Sequence, residues 1–139
     1  MSSKLKIEDL KFPTGLFYST QHLWARIEDK RIRVGMSDLG QKIAGKIVHV
    51  RIKKIGSSVK QGSLLGTAES IKWITGLTAP LTGELLEFNN QLREQPALIN
   101  KDPYGNGWIA MLNPTDSERE LKNLISSEKA LREFIKNIT

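Results

Sequence analysis

Short segments that alternate apolar and polar residues dominate the chain up to about residue 112, and glycine or proline lies between them. Within LWARIEDKRIRVGM, Ile32, Val34 and Met36 fall on one side of a strand, and a polar Glu28–Lys30 turn precedes it. A period of two is typical of half-buried β-strands, because successive side chains point to opposite faces. The chain is therefore predicted to be mainly β, with LWARIEDKRIRVGM as a hairpin.

Three further segments predict a helical turn, two β-turns and two more strands. MSDLGQKIAG predicts one helical turn, which Ser37 caps and Gly45 ends. GSSVKQGSLLGTAES predicts two glycine-marked turns and a strand, and WIAML, apolar on both faces, predicts a buried strand. Two similar stretches begin at Gly45 and Gly83, each predicted as a strand, a polar turn and a short apolar strand, and they flank the segment TAESIKWITG.

The end of the chain has a helical pattern instead. Thr115 and Glu118 have the spacing of a capping box, which predicts a first helix. The apolar residues at helical spacing after it are Leu121, Leu124 and Ile125. Ser127 is predicted to cap a second helix, whose apolar stripe consists of Leu131, Phe134, Ile135 and Ile138. Both helices are expected to cover the sheet.

The chain has 139 residues, which predicts a single domain with an N-terminal extension at 1–14 and C-terminal helices at 115–138. It contains no cysteine, which excludes disulfides and thiolate metal sites. His22 and His49 lack a ligand spacing, so no metal site is predicted. The start has no secretory pattern and no apolar run could span a membrane, so a cytoplasmic, monomeric protein with no membrane partner is expected.

The net charge of +6 raises nucleic acid as a possible partner. In KIVHVRIKK the predicted strand has an apolar and a basic side, formed by Val48, Val50 and Ile52 and by His49, Arg51 and Lys53. Aromatic residues for base stacking are missing from that stretch, so a basic nucleic-acid-binding module is the less favoured hypothesis. A catalytic function is not favoured either, since no nucleophile elbow or P-loop motif is present.

The segment TAESIKWITG predicts two strands joined by a tight turn, with Lys72 at its tip. GSSVKQGSLLGTAESIK resembles the lipoyl and biotinyl carrier domains, and ES before the lysine favours the lipoyl branch. STQHLWARIE and NNQLREQPALINKDPYGNGWI are similar to two motifs of the glycine cleavage system H protein family. The resemblance covers roughly residues 17–138.

This resemblance implies a flattened barrel-sandwich hybrid with short helices, and lipoic acid joined to Lys72 through an amide. The chain would then be a non-catalytic carrier that moves an intermediate between enzymes on a swinging arm. Its partners would be a lipoate ligase or lipoyl transferase and the P, T and L proteins of glycine cleavage. The residues expected at the cofactor site are Lys72, Glu69, Ser70, Ile71, Trp73, His22 and Leu23.

Two of these residues also have alternative interpretations. Glu69 either steers the modifying enzyme or is a solvated acid at a strand end. His22 keeps the family position, and a structural role, as a strand-end cap or a hydrogen-bond partner beside Trp24, is favoured over a role at the cofactor.

The chain departs from the family at three positions. Leu23 and Gly76 replace acids that the family associates with holding an aminomethyl group, and Trp73 replaces a small residue. A cationic amine needs a carboxylate partner when it is buried. Trp73 either packs on the hairpin or covers the dithiolane ring. A more apolar cleft raises the alternative of a sulfur carrier, similar to the lipoate-binding proteins of heterodisulfide-reductase-like sulfur oxidation, or of a lipoyl-relay protein.

Overall fold

Two antiparallel sheets share one hydrophobic core in the computed structural model, which describes residues 7–138. The strands within that range are β1 (Phe17–Tyr18), β2 (Leu23–Glu28), β3 (Arg31–Met36), β4 (Ile47–Ile52), β5 (Ser58–Val59), β6 (Leu64–Ser70), β7 (Ile74–Thr78), β8 (Gly83–Phe88) and β9 (Ala110–Pro114). One sheet has the order β1-β2-β3-β9-β8-β5 and the other the order β4-β6-β7. The predicted mainly β fold is confirmed.

Short helices connect or cover the strands: α1 (Asp38–Ala44), α2 (Gln91–Glu94), α3 (Leu98–Lys101), α4 (Ser117–Glu120) and α5 (Glu128–Ile138), with 3₁₀ turns at Ile7–Asp9 and Leu121–Asn123. The predicted limits of α1 are confirmed. The Ser37 hydroxyl accepts a hydrogen bond from the Gly40 amide at 3.1 Å, and Gly45 ends the helix with a φ of 81°. A positive φ is easily adopted by glycine, which has no Cβ.

The strands bury the residues that their alternation selects. Ile32, Val34 and Met36 lie in the core, as predicted, and the turn before them is closed by Asp29 at a φ of 62°. The predicted buried strand WIAML is confirmed for 110–112, which are buried and begin β9, whereas Trp108 and Ile109 precede the strand and Trp108 is only partly buried.

The predicted inward side of KIVHVRIKK is wrong at Val48. A register shift lies between Ile47 and His49 where β4 pairs with β6, so Ile47 is buried and Val48 is 45% exposed. An extra residue in one strand of a pair turns the following side chains to the other face. Val50 is buried, as the alternation predicts, and Ile52 is partly buried.

The predicted helix from Thr115 is wrong in its cap and its extent. The N-cap of α4 is Asp116, and its side chain makes no capping hydrogen bond. The 3₁₀ turn that follows ends at Asn123, and Leu124 after it is extended. Ile125 instead pairs with Tyr18 through two backbone hydrogen bonds of 2.8 Å. The short apolar strand predicted at the end of the stretch that begins at Gly83 is also wrong, since Leu98–Lys101 form the helix α3.

The second predicted helix is confirmed as α5. The Ala130 amide donates to the Ser127 hydroxyl at 3.0 Å, and Leu131 and Ile135 are buried, whereas Ile138 is exposed. Leu131 and Ile135 belong to a second cluster of buried residues, whose other members are Leu10, Phe12, Leu16, Tyr18, Trp24 and Leu39. The described part of the predicted N-terminal extension thus packs against α5, and residues 1–6 lie outside the described range. Within 7–138, no helix has the length and apolar character to span a membrane.

Candidate functional site

Lys72 lies at the tip of the hairpin that β6 and β7 form. Glu69 pairs with Ile74 as the last registered pair before the turn. The Ser70 amide donates to the Trp73 carbonyl at 2.9 Å, and the Trp73 amide donates to the Ser70 hydroxyl at 3.4 Å. Ser70 therefore closes the turn on both sides, and Ile71 and Lys72 occupy its two central positions.

The Lys72 ammonium is exposed and makes neither a hydrogen bond nor an ion pair with the residues of 7–138. Its neighbour Ile71 is 83% exposed, and Trp73 is 54% exposed. An amine in this position can be reached by a modifying enzyme without breaking a hydrogen bond or an ion pair. The paired strands β6 and β7 and the hydrogen-bonded turn hold the backbone from which that amine projects, and a functional group is positioned more reproducibly on such regular elements than on loops.

A shallow pocket of about 350 Å³ lies beside the hairpin tip. One wall consists of residues 70–73 and the other of residues 42–46, at the C-terminal end of α1. Ile43 is 46% exposed, so it contributes apolar surface to the pocket together with Ile71 and Trp73. The arrangement places an apolar recess directly next to the free amine.

The charged residues of this tip pocket are all cationic. Lys42 and Lys46 line it together with Lys72, and no carboxylate is among its described lining residues. Lys42 lies 3.7 Å from the carboxylate of Asp38, one helical turn earlier, but Asp38 is buried and does not line the pocket. The pocket therefore suits an uncharged, apolar group better than a cationic one.

Glu69 and Gly76 lie on the outer face of the three-stranded sheet. Glu69 is opposite His49 on one side and Ile74 on the other, and Gly76 is opposite Thr67. Glu69 is only partly exposed and does not line the tip pocket. The outer face of the sheet near the tip thus carries one acid, but not at the position of Gly76.

The structure does not bring His22 and Leu23 into the tip pocket. Leu23 is 1% exposed and packs in the main core. His22 has a φ of 71°, and its carbonyl accepts a hydrogen bond from the Ser37 amide at 2.9 Å, just before α1. This placement fits the structural interpretation of His22, and the assignment of both residues to the cofactor site remains a prediction.

His22 should make the stability of the protein depend on pH. Burial lowers its pKa from the ordinary value of 6.5. The unfolded chain therefore gains a proton at a higher pH than the folded chain, and the free energy of unfolding falls as the pH drops below about 6.5. His22→Asn should reduce this fall, because asparagine does not titrate and tolerates a positive φ.

Urea denaturation of wild type and His22→Asn at about pH 7.5 and about pH 5.5 measures how far the free energy of unfolding falls between the two pH values in each protein. His49→Asn is the matched control, since His49 is exposed on β4. An equal loss of stability in wild type and His22→Asn would contradict the prediction.

Sequence reasoning missed the α1 wall of the tip pocket, formed by Lys42, Ile43 and Lys46. Ile43 is an apolar residue within the predicted helical turn, and the structure leaves it 46% exposed beside the hairpin tip. No spacing in the sequence connects this helix with a lysine some thirty positions later. Among the described residues, no cluster of histidine and acidic side chains could hold a metal ion.

Comparisons with known proteins identify close similarity over most of the chain. Residues 16–138 match the family model described as glycine cleavage H-protein. The chain is 39% identical over 135 residues to a probable glycine cleavage system H protein of Pyrococcus abyssi, covering 96% of this chain and 99% of that one. It is 41% identical over 138 residues to the glycine cleavage system H protein 2 of Aquifex aeolicus, covering 94% of this chain and 86% of that one.

A solved structure has the same architecture. The crystal structure of a glycine cleavage system H protein from Mycobacterium marinum superposes with a TM-score of 0.71 at 33% sequence identity, and the match covers 75% of this chain and 87% of that chain. That protein has the barrel-sandwich hybrid fold, so the predicted flattened barrel-sandwich is confirmed.

Proposed function

The chain belongs to the glycine cleavage H-protein family, and we propose that Lys72 is the lysine to which its lipoic acid is attached. Proteins of this family carry lipoic acid covalently on a lysine, and the chain is a lipoyl carrier protein. The observation that carries the assignment to Lys72 is its exposed, unpaired ammonium at the tip of the β6–β7 hairpin. No backbone rearrangement is needed for that amine to enter the active site of a modifying enzyme.

The residues around Lys72 fit a lipoyl group. Amide formation removes the charge of Lys72, and with it the repulsion from Lys42 and Lys46 across the tip pocket. The apolar surface of Ile43, Ile71 and Trp73 is then available to the methylene chain of the arm.

We propose that Trp73 covers the dithiolane end of the arm, since a sulfur–aromatic contact contributes ~0.3–1.5 kcal/mol. When bound, lipoic acid would supply a ring disulfide that is reduced as it takes up a group at one enzyme; once the group has left at a second enzyme, the remaining dithiol would be reoxidised at a third. The chain's own residues hold, shield and present it, and we propose that the chain itself is not an enzyme.

The partners follow from the family and from the hairpin. The family works with the P, T and L proteins of glycine cleavage. We propose that a lipoate ligase or lipoyl transferase recognises the hairpin tip, with Ser70 and Ile71 fixing the position of the amine. Glu69, on the outer face just before the turn, is the acid closest in sequence to that tip and would contact this enzyme.

The absence of acids at Leu23 and Gly76 affects which group on the lipoyl arm the tip pocket can hold. Leu23 is a core residue, and the tip pocket has lysines where an amine would need carboxylates. We propose that the pocket shelters the uncharged arm and does not retain a cationic aminomethyl group. The relatives are named for glycine cleavage, so the sulfur-carrier alternative is not favoured.

Glycine decarboxylation tests the proposed function. The lipoylated chain is mixed with glycine decarboxylase P protein, pyridoxal phosphate and glycine labelled in its carboxyl group, and release of labelled carbon dioxide is followed. We expect release to depend on the concentration of the lipoylated chain, because tethering keeps the intermediate at a high effective concentration. The same chain without lipoic acid is the control and should give no release. Equal release with both forms, or none with either, would contradict the proposal.

A further inference from the structure

The outer surface around β4, on the flank of the tip pocket, carries most of the net charge of the protein. It contains two hollows of about 450 and 380 Å³, which meet at Arg93. The cations that line them, called the β4 strip below, are Lys46, Arg51, Lys53, Lys54, Arg93 and Lys101. Glu94 is the acid among the same lining residues, so this surface has a net charge of +5 against +6 for the whole chain.

The cations of the β4 strip are all exposed, and none forms an ion pair with a residue between 7 and 138. Arg93 is held in place, because it donates to the Asn90 side chain at 3.1 Å and lies over the Phe88 ring at 5.3 Å. Elsewhere on the protein, exposed arginines such as Arg31 and Arg119 do have acidic partners. The β4 strip therefore has unneutralised charge that a partner can use.

The β4 strip is continuous with the site at Lys72. Lys46 lines both the tip pocket and the first hollow of the strip. Ile47, the next residue, pairs with Ser70 at the base of the hairpin turn. A protein that binds the Lys72 arm in its active site would consequently bring its own surface against the β4 strip.

The composition of this surface favours a protein over a nucleic acid. Val48 is 45% exposed and Ile55 is 48% exposed between the cations. Protein interfaces combine such apolar residues with charges that steer the encounter. Binding of single-stranded nucleic acid requires aromatic faces on which bases stack, and Phe88, the aromatic residue that lines the strip, is partly buried and covered by Arg93.

We propose that the β4 strip is the docking surface for an acidic face on an enzyme that acts on the Lys72 arm. The acidic face binds the cations of the strip while the arm enters the active site. This inference rests on the assignment of the arm to Lys72. It goes beyond that assignment, because it locates the contact surface and states the charge of the partner.

Charge reversal away from the hairpin tests the docking surface. Lys53→Glu/Lys54→Glu changes the far end of the β4 strip, and Lys122→Glu/Lys129→Glu gives the same change in net charge on the C-terminal helical segment, where both lysines are exposed. Lipoylated wild type and both double variants are titrated calorimetrically against the P, T and L proteins and a lipoate ligase. The salt concentrations are about 50 and about 300 mM.

For at least one of these enzymes, the strip variant should bind about tenfold more weakly than wild type at low salt, whereas the control variant should bind within about twofold. The difference should shrink at high salt, because ions screen exposed charges. Equal binding of both variants to every enzyme would overturn the proposal. So would tight binding of a single-stranded oligonucleotide that only the strip variant loses, since the surface would then be a nucleic-acid site. If the docking surface fails while carbon dioxide release still depends on the lipoylated chain, the carrier function stands, and the assignment of the arm to Lys72 stands if peptide mapping finds the lipoyl group on the peptide that contains it.

Discussion

Replacement of Lys72 by arginine should abolish the attachment of lipoic acid and leave the fold intact. Arginine keeps the length and the charge of the side chain, but its guanidinium stays protonated and does not form the lipoyl amide. The Lys72 ammonium makes no hydrogen bond or ion pair with the rest of the described chain that arginine would lose. The free energy of unfolding should therefore change by less than about 0.5 kcal/mol, as for other exposed positions.

Intact mass after co-expression with a lipoate ligase measures this result. Wild type should gain one lipoyl group, and peptide mapping should place it on the peptide that contains Lys72. The matched control is Lys54→Arg, another exposed lysine, which should be modified like wild type. A lipoyl group on Lys72→Arg, at any position, would show that the modifying enzyme does not select the hairpin tip.

The selectivity expected for Lys72 depends on the rigidity of the hairpin. The two hydrogen bonds between Ser70 and Trp73 close the turn, and neither central residue of the turn has a positive φ. Neither residue is therefore in the left-handed region, and the backbone of the turn fixes the direction in which the Lys72 side chain leaves the hairpin. Lysines such as Lys53 and Lys54 are also exposed, but they lie outside the strands and are not held at the tip of a hairpin.

The sequence was sufficient for the parts of the site that are local. Alternating strands on both sides of ESIKW predicted the hairpin, and Ser37 and Gly45 predicted both ends of α1. In each case the information lies within a few residues, in side-chain alternation or a cap. Tertiary contacts in the structure agree with these local preferences for a hairpin and for the ends of α1.

The parts that depend on distant segments could not be predicted. The tip pocket forms because the C-terminal end of α1 meets the hairpin, and the hollows of the β4 strip form because α2 and α3 lie beside β4. The bulge after Ile47 exposes Val48 against the alternation, because pairing with β6 overrides the local pattern. Ile125 is extended and not helical for a similar reason, since its backbone N–H and C=O groups form hydrogen bonds with Tyr18.

Replacement by alanine should have a large effect on stability at Trp24 and a small one at Trp73. Trp24 is fully buried, its indole nitrogen donates to the Pro103 carbonyl at 3.0 Å, and the guanidinium of Arg26 lies 5.1 Å from its ring. A Cβ at Gly35, opposite Trp24 in β3, would lie 2.6 Å from the indole, so the ring fills all the space available. Trp24→Ala should lower the free energy of unfolding by about 3–5 kcal/mol.

Trp73→Ala removes a ring that is 54% exposed at the hairpin and should cost less than about 0.5 kcal/mol. Urea denaturation followed by far-ultraviolet circular dichroism measures both changes, and a domain of this size has only about 5–15 kcal/mol to lose. Trp73→Ala should still accept lipoic acid, because the Ser70–Trp73 bonds that close the turn use only the backbone of residue 73. A large loss of stability in Trp73→Ala would mean that this ring belongs to the core. It would then not be free to cover the arm, and the role that we propose for Trp73 at the tip pocket would be wrong.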